Sequence, residues 1–376
     1  MSSRRTILYF EPVAEKGGAE EVLLQLVGRL DRSRFRPVAA CLGRGPLLRE
    51  LAARDVPVHT YPAHRLSNFP VSWLATIWLG LLASREKADI VHAQGTKAQI
   101  YAAPASCLAG SANLWHIHDP PAPGLSGIDR IALALPRDRV VANSPVTRSG
   151  FEPYLGGEPV CTIPPGVEVG PPHERSALEE VRRRWDVTPQ EFLVVSIGRL
   201  QEFKGHRYLL EAVRLLASSG VPVRALVIGG ALFGIETGYP DRLRSMIDKL
   251  GLASRVRMTG FLPDGETRLL AAAADCLAHT ALEEPFGLAV AEAMAAGTPP
   301  VAFASTGPRT LVEHEVSGLL VPVGDAKALA EAIARLAADR EYARRLGAAA
   351  RERVALHFSV EAMVRRFERV YEELAP

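Results

Sequence analysis

The sequence predicts an α/β protein with two domains, each formed around a parallel β-sheet. The chain has 376 residues, which is enough for two domains of ordinary size. Short apolar runs alternate with helical patterns in both halves, and this alternation is typical of doubly wound parallel sheets. Hydrophobic residues make up 48% of the chain, so each predicted domain can bury a core of its own.

The first half contains six predicted strands. They cover residues 6–10, 37–42, 57–61, 88–92, 114–118 and 139–143. Helical patterns fall between them, from Gly17 to Leu30 and at about residues 46–54, 70–86, 96–108 and 145–152. Ligands bind at the carboxyl ends of the strands in such sheets, so we expect the functional residues just past the strand ends.

The second half repeats this alternation and ends in helices. Strands are predicted at residues 191–197, 224–228, 255–259, 274–278 and 300–303, and helices at 206 onward, 287–296, 325–338, 340–357 and 359–374. Residues 168–190 are rich in proline and charge, which predicts a hinge. The predicted domains are therefore 1–170 and 191–357, with a linker at 171–190 and a final helix at 358–376.

Composition excludes some classes of function. The net charge is only +2, without a long run of one sign, so nucleic-acid binding is not indicated. The four cysteines are scattered without metal-ligand spacing and fit reduced thiols in a cytosol. The start of the chain runs directly into a predicted strand without a signal-peptide pattern. We therefore expect a cytoplasmic location.

One apolar stretch leaves a membrane contact open. Residues 69–84 are mostly apolar but are interrupted by Pro70, and are too short and mixed for a membrane span. Trp73 and Trp78 lie within this stretch, and Arg85 follows it. A helix at the inner membrane face would have this pattern. A buried packing helix would have it too, and is the interpretation we favour.

Two cations lie where a diphosphate could bind. Arg199 and Lys204 are in a loop that follows the predicted strand 191–197 and precedes the next helix. Cations beside a helix N-terminus neutralise phosphate groups well. This placement predicts that both side chains bind a diphosphate.

Two glutamates eight residues apart, Glu284 and Glu292, frame another candidate site. Pro285 suits the first turn of a helix, so the free N–H groups are expected at Phe286, Gly287 and Leu288. The positive end of a helix attracts anions such as phosphate. Glu292 is the only charge in an otherwise apolar helix.

The first half offers glycines and histidines near strand ends. Gly17 and Gly18 follow the first strand and open a helix, and glycine allows a ligand to approach the backbone closely. The family resemblance described below makes both glycines donor-binding candidates. His116 and His118 share one face of a strand. His116 fits a core position, but a histidine pair could also chelate zinc if a third ligand were present. His92 either lines an acceptor pocket or caps its strand.

Several of these strings resemble motifs of glycosyltransferase family 4. Residues 284–297, EEPFGLAVAEAMAAG, resemble the E-x7-E motif of this nucleotide-sugar-dependent family. The string GRLQEFKG at 198–205 resembles the diphosphate-binding loop, and GGAE at 17–20 resembles the first loop. The sequence departs from the family at Pro164, where relatives usually have Asn, and at Thr306 and Thr310, so no role is transferred to those positions.

The resemblance implies a fold and residue roles. It implies two Rossmann-like domains facing each other across a cleft, the GT-B architecture, with the acceptor on the first domain, the donor on the second and the last helix crossing back to the first. Glu284 would lie near the donor sugar and Glu292 would bind the ribose. Arg199 and Lys204 would bind the diphosphate, and His118 would hydrogen-bond the donor sugar at the reacting centre.

The implied function is retaining transfer of a sugar from a nucleoside-diphosphate sugar, UDP- or GDP-linked, to a hydroxyl of a glycan, glycolipid or small molecule. The nucleotide sugar is a co-substrate, and no other cofactor is expected. None of the thirteen aspartates has another two residues on, so a metal-assisted reaction is not implied. A nucleotide-sugar epimerase and a non-catalytic nucleotide-sugar-binding subunit remain the alternatives.

Overall fold

Two parallel sheets organise the computed structural model of this protein. The structure describes residues 4–14, 18–62, 69–230 and 238–375, without the side chains of residues 69–72. The chain forms two units: one comprises Met1–Gly166 with Val360–Pro376, and the other comprises Val167–Ser359. Each unit has its own hydrophobic core on both faces of its sheet.

The first unit contains a seven-stranded parallel sheet in the order β3-β2-β1-β4-β5-β6-β7. Its strands are β1 Arg5–Glu11, β2 Phe35–Leu42, β3 Val58–Tyr61, β4 Ile90–Gln94, β5 Ala112–Ile117, β6 Arg139–Ala142 and β7 Val160–Thr162. Strand β1 pairs with β2 on one side and with β4 on the other. The strand order therefore reverses beside β1, and loops at the carboxyl ends diverge there.

Seven helices cover this sheet in the described part of the first unit. They are α1 Gly18–Arg29, α2 Pro46–Ala52, α3 Phe69–Glu86, α4 Thr96–Ala109, α5 Gly127–Ala134, α6 Pro145–Phe151 and α15 Val360–Leu374. The last of these comes from the end of the chain. Its Met363, Phe367 and Tyr371 are buried in one core cluster with Ile7 and Tyr9 of β1.

The second unit contains a six-stranded parallel sheet in the order β10-β9-β8-β11-β12-β13. Its strands are β8 Phe192–Ile197, β9 Val223–Ile228, β10 Val256–Gly260, β11 Cys276–His279, β12 Pro300–Phe303 and β13 Leu319–Val321. Its helices are α7 Arg175–Arg184, α8 His206–Ser218, α9 Tyr239–Lys249, α10 Asp264–Ala273, α11 Leu288–Ala296, α12 Thr306–Leu311, α13 Ala326–Ala338 and α14 Arg340–His357. Here the strand order reverses between β8 and β11, which brings their carboxyl ends together.

The region predicted as a linker, residues 171–190, is instead part of the second unit. Helix α7 lies within it, and Val181 and Val187 are buried in the core of that unit. Arg182 bonds the backbone of Ala273 and pairs with Asp275 at 3.1 Å. One of the charges that suggested a linker therefore has partners within the second unit, and the boundary between the units lies at residues 166–167.

Helix α3 contains the apolar stretch that left a membrane contact open. Its Ala75, Leu79 and Ala83 are buried against the first sheet, which is the packing role that the sequence favoured. Trp73 and Leu81 nevertheless remain exposed. Among the helices of the described residues, none is long and apolar enough to cross a membrane.

Candidate active site

Two loops of the second unit meet at the carboxyl ends of β8 and β11. Thr280 donates a hydrogen bond to the Lys204 carbonyl at 3.0 Å, and the Leu282 N–H donates to the Phe203 carbonyl at 2.8 Å. Gly205 makes this approach possible, because a Cβ there would collide with the Thr280 carbonyl oxygen. Its φ of +67° also favours glycine.

The paired loops bring Lys204 and Glu284 together. The Lys204 Nζ lies 2.6 Å from Glu284 Oε2, and the two side chains are only 16% and 12% exposed. His279, at the end of β11, places Nε2 3.3 Å from the same oxygen. Burial alone would raise the pKa of Glu284, but its contact with His279 and the charge of Lys204 outweigh burial and lower the pKa to about 2.

The N-terminus of α11 follows this cluster directly. Gly287 caps the helix in the left-handed conformation, with φ of +96°, and its carbonyl accepts the first helical bond, from Ala291. The N–H groups free of intrahelical bonds are therefore those of residues 287–290. The expected start at Pro285 was wrong, because the helix begins at Leu288.

The other donor-site candidates differ in their surroundings. Phe286 packs in the core of the second unit, whereas Leu288 is exposed at the helix start. Glu292 lies one turn further along α11, and partial desolvation raises its pKa. Arg199 is exposed, and no ion pair or side-chain hydrogen bond joins it to any residue that the structure describes. Its guanidinium is therefore available to an anion.

In the first unit, His118 follows β5. Its Nε2 lies 2.8 Å from Gln94 Oε1, and its carbonyl accepts a hydrogen bond from Asn143 at 2.6 Å. Desolvation lowers the pKa of His118 to about 4, so the ring is neutral at physiological pH. A neutral imidazole can exchange hydrogen bonds with a sugar hydroxyl without carrying charge into the site.

His92 does not line a pocket, contrary to one of the two interpretations of the sequence. It lies in the middle of β4 rather than past its end, and its side chain has no exposed surface. Its Nδ1 lies 2.8 Å from the Tyr371 hydroxyl, and its ring packs against Phe367. The ring is therefore part of the core that α15 completes.

His116 is also a core residue. It is fully buried, and burial lowers its pKa well below the usual value. The described residues contain no group of three His, Cys, Asp or Glu side chains that could hold a metal ion. A third ligand for a histidine pair is therefore missing from this part of the chain.

The first loop lies partly outside the described residues. Gly17 belongs to the segment that the structure does not describe, and Gly18 is the first residue of α1. The predicted opening of this helix by glycine is therefore seen only at Gly18.

Two residues of these sites were missed by sequence reasoning. His279 is the last residue of β11 and touches Glu284, and Gln94 is the last residue of β4 and touches His118. Both follow the rule that functional side chains lie at the carboxyl ends of parallel strands. The predicted strands 274–278 and 88–92 stopped one and two residues short of them.

The arrangement defines a class of protein: a two-unit α/β protein with parallel sheets, in which cationic side chains of the second unit lie near a helix N-terminus. Two family models match the chain, "Glycosyltransferase Family 4" over residues 16–170 and "Glycosyl transferases group 1" over residues 178–353. The D-inositol 3-phosphate glycosyltransferase of Geodermatophilus obscurus is 32% identical over 355 residues, covering 90% of this chain and 73% of that protein. The chain belongs to glycosyltransferase family 4.

Solved structures show the same fold. Anabaena Alr3699/HepE in complex with UDP has a TM-score of 0.84 and 27% identity, covering 98% of this chain and all of that one. Its complex with UDP-glucose has a TM-score of 0.79, covering 98% and 99%. The expected GT-B fold is therefore confirmed, and the protein is a glycosyltransferase.

Proposed function

We propose that this protein is a retaining glycosyltransferase that binds a UDP-linked sugar in its second unit and transfers the sugar to a hydroxyl acceptor without a metal ion. The observation that carries this proposal is the cluster of Lys204, Glu284 and His279 beside the free N–H groups of α11. Arg199 adds a second cation on the same loop as Lys204. A diphosphate fits the cations and N–H groups of this set, because they attract negative charge or donate hydrogen bonds. Glu284 is ionised and would instead accept hydrogen bonds from hydroxyls.

The ion pair between Lys204 and Glu284 suggests how the donor would engage. In the structure without a ligand, the Lys204 ammonium donates a hydrogen bond to the Glu284 carboxylate. A bound diphosphate would offer Lys204 more negative charge than one carboxylate does. Glu284 would then be free to accept hydrogen bonds from hydroxyls of the donor sugar, which is the role that family resemblance assigns to it.

The chemical step breaks the bond between the anomeric carbon and the β-phosphate oxygen. Negative charge grows on that phosphate as it leaves, and Lys204, Arg199 and the N–H groups at residues 287–290 would stabilise it. The acceptor oxygen forms the new bond on the same face of the sugar, and its proton passes to the departing phosphate. The α-configuration of a donor such as UDP-glucose would be retained.

The names of two relatives support a donor class and an acceptor class. HepE binds UDP and UDP-glucose, which favours a uridine donor here. The relative from Geodermatophilus is named for D-inositol 3-phosphate, a polyol with several hydroxyl groups. Glu292 would bind the ribose of the nucleotide, and His118 would hydrogen-bond the sugar.

Thermal unfolding with UDP, GDP, ADP and dTDP, each without metal and then with Mg²⁺, tests the donor site. A ligand at a hundred times its dissociation constant adds about 2.7 kcal/mol to folded stability. We expect a shift for UDP that Mg²⁺ leaves unchanged and that the Lys204→Ala variant loses. If none of the four nucleotides shifts the transition of the parent protein, the proposed donor site is absent. Sugar products formed from the donor alone would indicate an epimerase instead.

Peripheral membrane contact through α3 belongs to the same proposal. Trp73 is 57% exposed and Leu81 67% exposed on this helix, with Arg85 in its last turn. Tryptophan, leucine and arginine are the residues that anchor helices at a lipid interface. We expect the parent protein to float with anionic vesicles. The double variant Trp73→Ala/Leu81→Ala should abolish flotation. Leu356 is an exposed leucine of the second unit, and Leu356→Ala should leave flotation unchanged. If the parent protein stays in the dense bottom fraction instead of floating with the vesicles, this membrane contact is excluded.

A further inference from the structure

A continuous chain of side-chain hydrogen bonds runs behind His118 into the core of the first unit. His118 Nε2 meets Gln94 Oε1 at 2.8 Å, and Gln94 Nε2 lies 3.4 Å from His92 Nε2. His92 Nδ1 meets the Tyr371 hydroxyl at 2.8 Å, which lies 3.0 Å from the Tyr9 hydroxyl. All members except His118 are buried. This chain of hydrogen bonds therefore connects the half-buried His118, just past the carboxyl end of β5, with α15, the last helix of the protein.

The protons in this chain can be placed from the chemistry of its members. An amide has one accepting end and one donating end, and a neutral imidazole has one N–H. With Gln94 Oε1 toward His118, the Gln94 amide donates to His92 Nε2, and the His92 Nδ1–H donates to the Tyr371 oxygen. The Tyr371 O–H then donates to Tyr9. Each of the four contacts then joins one donor to one acceptor, and in this arrangement His118 carries its proton on Nε2.

The second nitrogen of His118 remains available. His118 is half-buried, and no described residue hydrogen-bonds its Nδ1. We propose that Gln94 is a positioning residue, which fixes His118 as its Nε2–H tautomer and presents the Nδ1 lone pair to a hydroxyl of the donor sugar. This proposal rests on the proposed function, in which His118 contacts that sugar.

The surroundings of His118 explain why an amide suits this position. His116 packs against the His118 ring at 4.0 Å between centroids, and His92 lies behind Gln94. Burial lowers the pKa of both neighbouring histidines well below the usual value, so neither supplies charge at neutral pH. Glutamine holds the ring without adding charge, whereas a carboxylate would favour the protonated ring, which has no lone pair to offer.

Two titratable groups, Tyr9 and Tyr371, form the end of the hydrogen-bond chain that is farthest from His118. Burial raises the pKa of both Tyr9 and Tyr371, so these hydroxyls stay protonated through the range in which histidine titrates. Arg32 and Glu368 lie near Tyr9, with opposite effects on its pKa. Glu11 ends β1, the strand that pairs with β4, and burial raises the pKa of its carboxyl well above the usual value. Its titration is therefore followed beside that of His118 and that of a carboxylate introduced at position 94, and the Glu11→Gln variant separates its contribution.

Nitrogen NMR of the full chain reads the tautomer and pKa of His118 without any ligand. The long-range coupling pattern of ring protons to ring nitrogens distinguishes Nε2–H from Nδ1–H, and the His118→Gln variant identifies its signals. We expect Nε2–H in the parent, a mixed tautomer in Gln94→Leu, and in Gln94→Glu a His118 pKa raised by about one unit or more. Gln99→Leu is the matched control, because Gln99 is equally buried but bonds Pro136 and Asn113 instead.

A parent His118 that carries its proton on Nδ1 would overturn the proposal. It is overturned equally if Gln94→Leu leaves the tautomer and pKa of His118 as they are in Gln99→Leu. Tyr371→Phe removes the group that accepts from His92, and we expect it to shift the tautomers of both His92 and His118. A shift confined to His92 would show that the chain ends there and that α15 does not contribute to positioning His118.

Turnover separates this proposal from the proposed function. With UDP-glucose as the probe donor, release of UDP should show kcat lowered about tenfold or more in Gln94→Leu, with KM nearly unchanged, because ring orientation matters only as the bond breaks. In Gln94→Glu, kcat should fall at low pH and recover above the raised pKa of His118. A tautomer shift without any loss of kcat would overturn the positioning role. A parent without turnover, but with the expected tautomer shift, would overturn the proposed function alone.

Discussion

Lys204 and Glu284 form an ion pair whose position suggests a role in binding as well as in stability. Ion pairs at protein surfaces contribute about 0–1 kcal/mol, and the desolvation cost of burying a pair offsets much of the attraction. This pair is mostly hidden from solvent and stands next to a helix N-terminus. Its groups fit better as a preformed binding site in which each charge keeps the other oriented until the donor arrives.

Replacing Lys204 by alanine tests its share in catalysis. We expect Lys204→Ala to lose roughly 2–4 kcal/mol of transition-state stabilisation, because the ammonium faces the charge that develops on the leaving phosphate. Steady-state kinetics with the preferred donor measures this loss as a fall in kcat. Lys327→Ala, at an exposed lysine of α13, is the control and should keep parental turnover. Turnover of Lys204→Ala within a factor of a few of the parent would remove Lys204 from the mechanism.

Glu284 should make stability depend on pH in acid. Its pKa is about 2 in the folded protein and near 4.3 when unfolded, so the unfolded state binds the proton first. The carboxylate contributes stability that is complete above about pH 5 and is lost as the pH falls toward 2, up to about 3 kcal/mol in total. Urea unfolding between pH 3 and 7 should show a shallower acid dependence for Glu284→Gln than for the parent.

The neighbouring residue supplies the control for this pH prediction. Glu283 is exposed, so Glu283→Gln removes the same charge from a solvated position. We expect Glu283→Gln to follow the parental pH dependence. Identical pH profiles for the two variants would mean that Glu284 gains nothing from Lys204 and His279 in the folded state.

Helix α11 is bounded by a glycine in the left-handed conformation at each end. Gly287 precedes it with φ of +96°, and Gly297 follows it with φ of +86°. An added Cβ would meet only ordinary contacts at Gly287 and open space at Gly297. Alanine at either position should therefore lower the free energy of unfolding mainly through backbone strain, by about 1–2 kcal/mol. Only the N-terminal end, at Gly287, lies at the proposed diphosphate site.

The pair Gly287→Ala and Gly297→Ala separates folding from binding. Both variants should lose similar stability in thermal unfolding, because both strain the same helix. Only Gly287→Ala should also weaken UDP binding, measured by calorimetry, because it moves the N–H groups of residues 287–290 away from their direction in the parent. Equal UDP affinity in the two variants would show that the helix start does not bind the nucleotide.

The strands that the sequence predicted are longer than the strands that it missed. Apolar runs located eleven of the strands, because a strand buried on both faces of a parallel sheet is nearly continuously hydrophobic. Strands β7 and β13, with three residues each, are too short for such a signal. Helices α5, α9, α10 and α12 were missed as well. The start of α5 is fixed by a capping box at Ser126 and Asp129, which an apolar pattern does not reveal.

Side-chain surroundings were harder to predict than elements. The loop with Arg199 and Lys204 could be proposed as a diphosphate site because the two cations lie close together in the chain. His92 could not be placed, because its partner Tyr371 is 279 residues away. The bonds that join Glu284 to Lys204, 80 residues apart, were likewise invisible until the loops after β8 and β11 met. Contacts across a sheet depend on the strand order, which local patterns do not contain.

At the scale of the whole molecule, one helix completes the core of each unit, α7 in the second and α15 in the first. The sequence predicted a linker at α7, and only the family resemblance implied the position of α15. Helix α7 packs on the second unit although its composition resembles a linker, because Val181 joins the core there. Helix α15 buries Phe367 and Tyr371 in the first unit. Each unit therefore has a complete core, and each should respond to the loss of a core side chain by itself.

A matched pair of core variants, read by hydrogen exchange, tests this independence together with the donor site. Phe367 is buried in the first unit and Phe303 in the second, and truncating a buried phenylalanine to alanine costs about 3–5 kcal/mol. We expect Phe367→Ala to speed exchange in β1 and β4 and Phe303→Ala to speed exchange in β8 and β11. UDP at a hundred times its dissociation constant should restore about 2.7 kcal/mol of protection, and only in the second unit. Because a ligand stabilises the unit that binds it, protection of β1 and β4 to the same degree would show either that the two units unfold together or that the nucleotide also contacts the first.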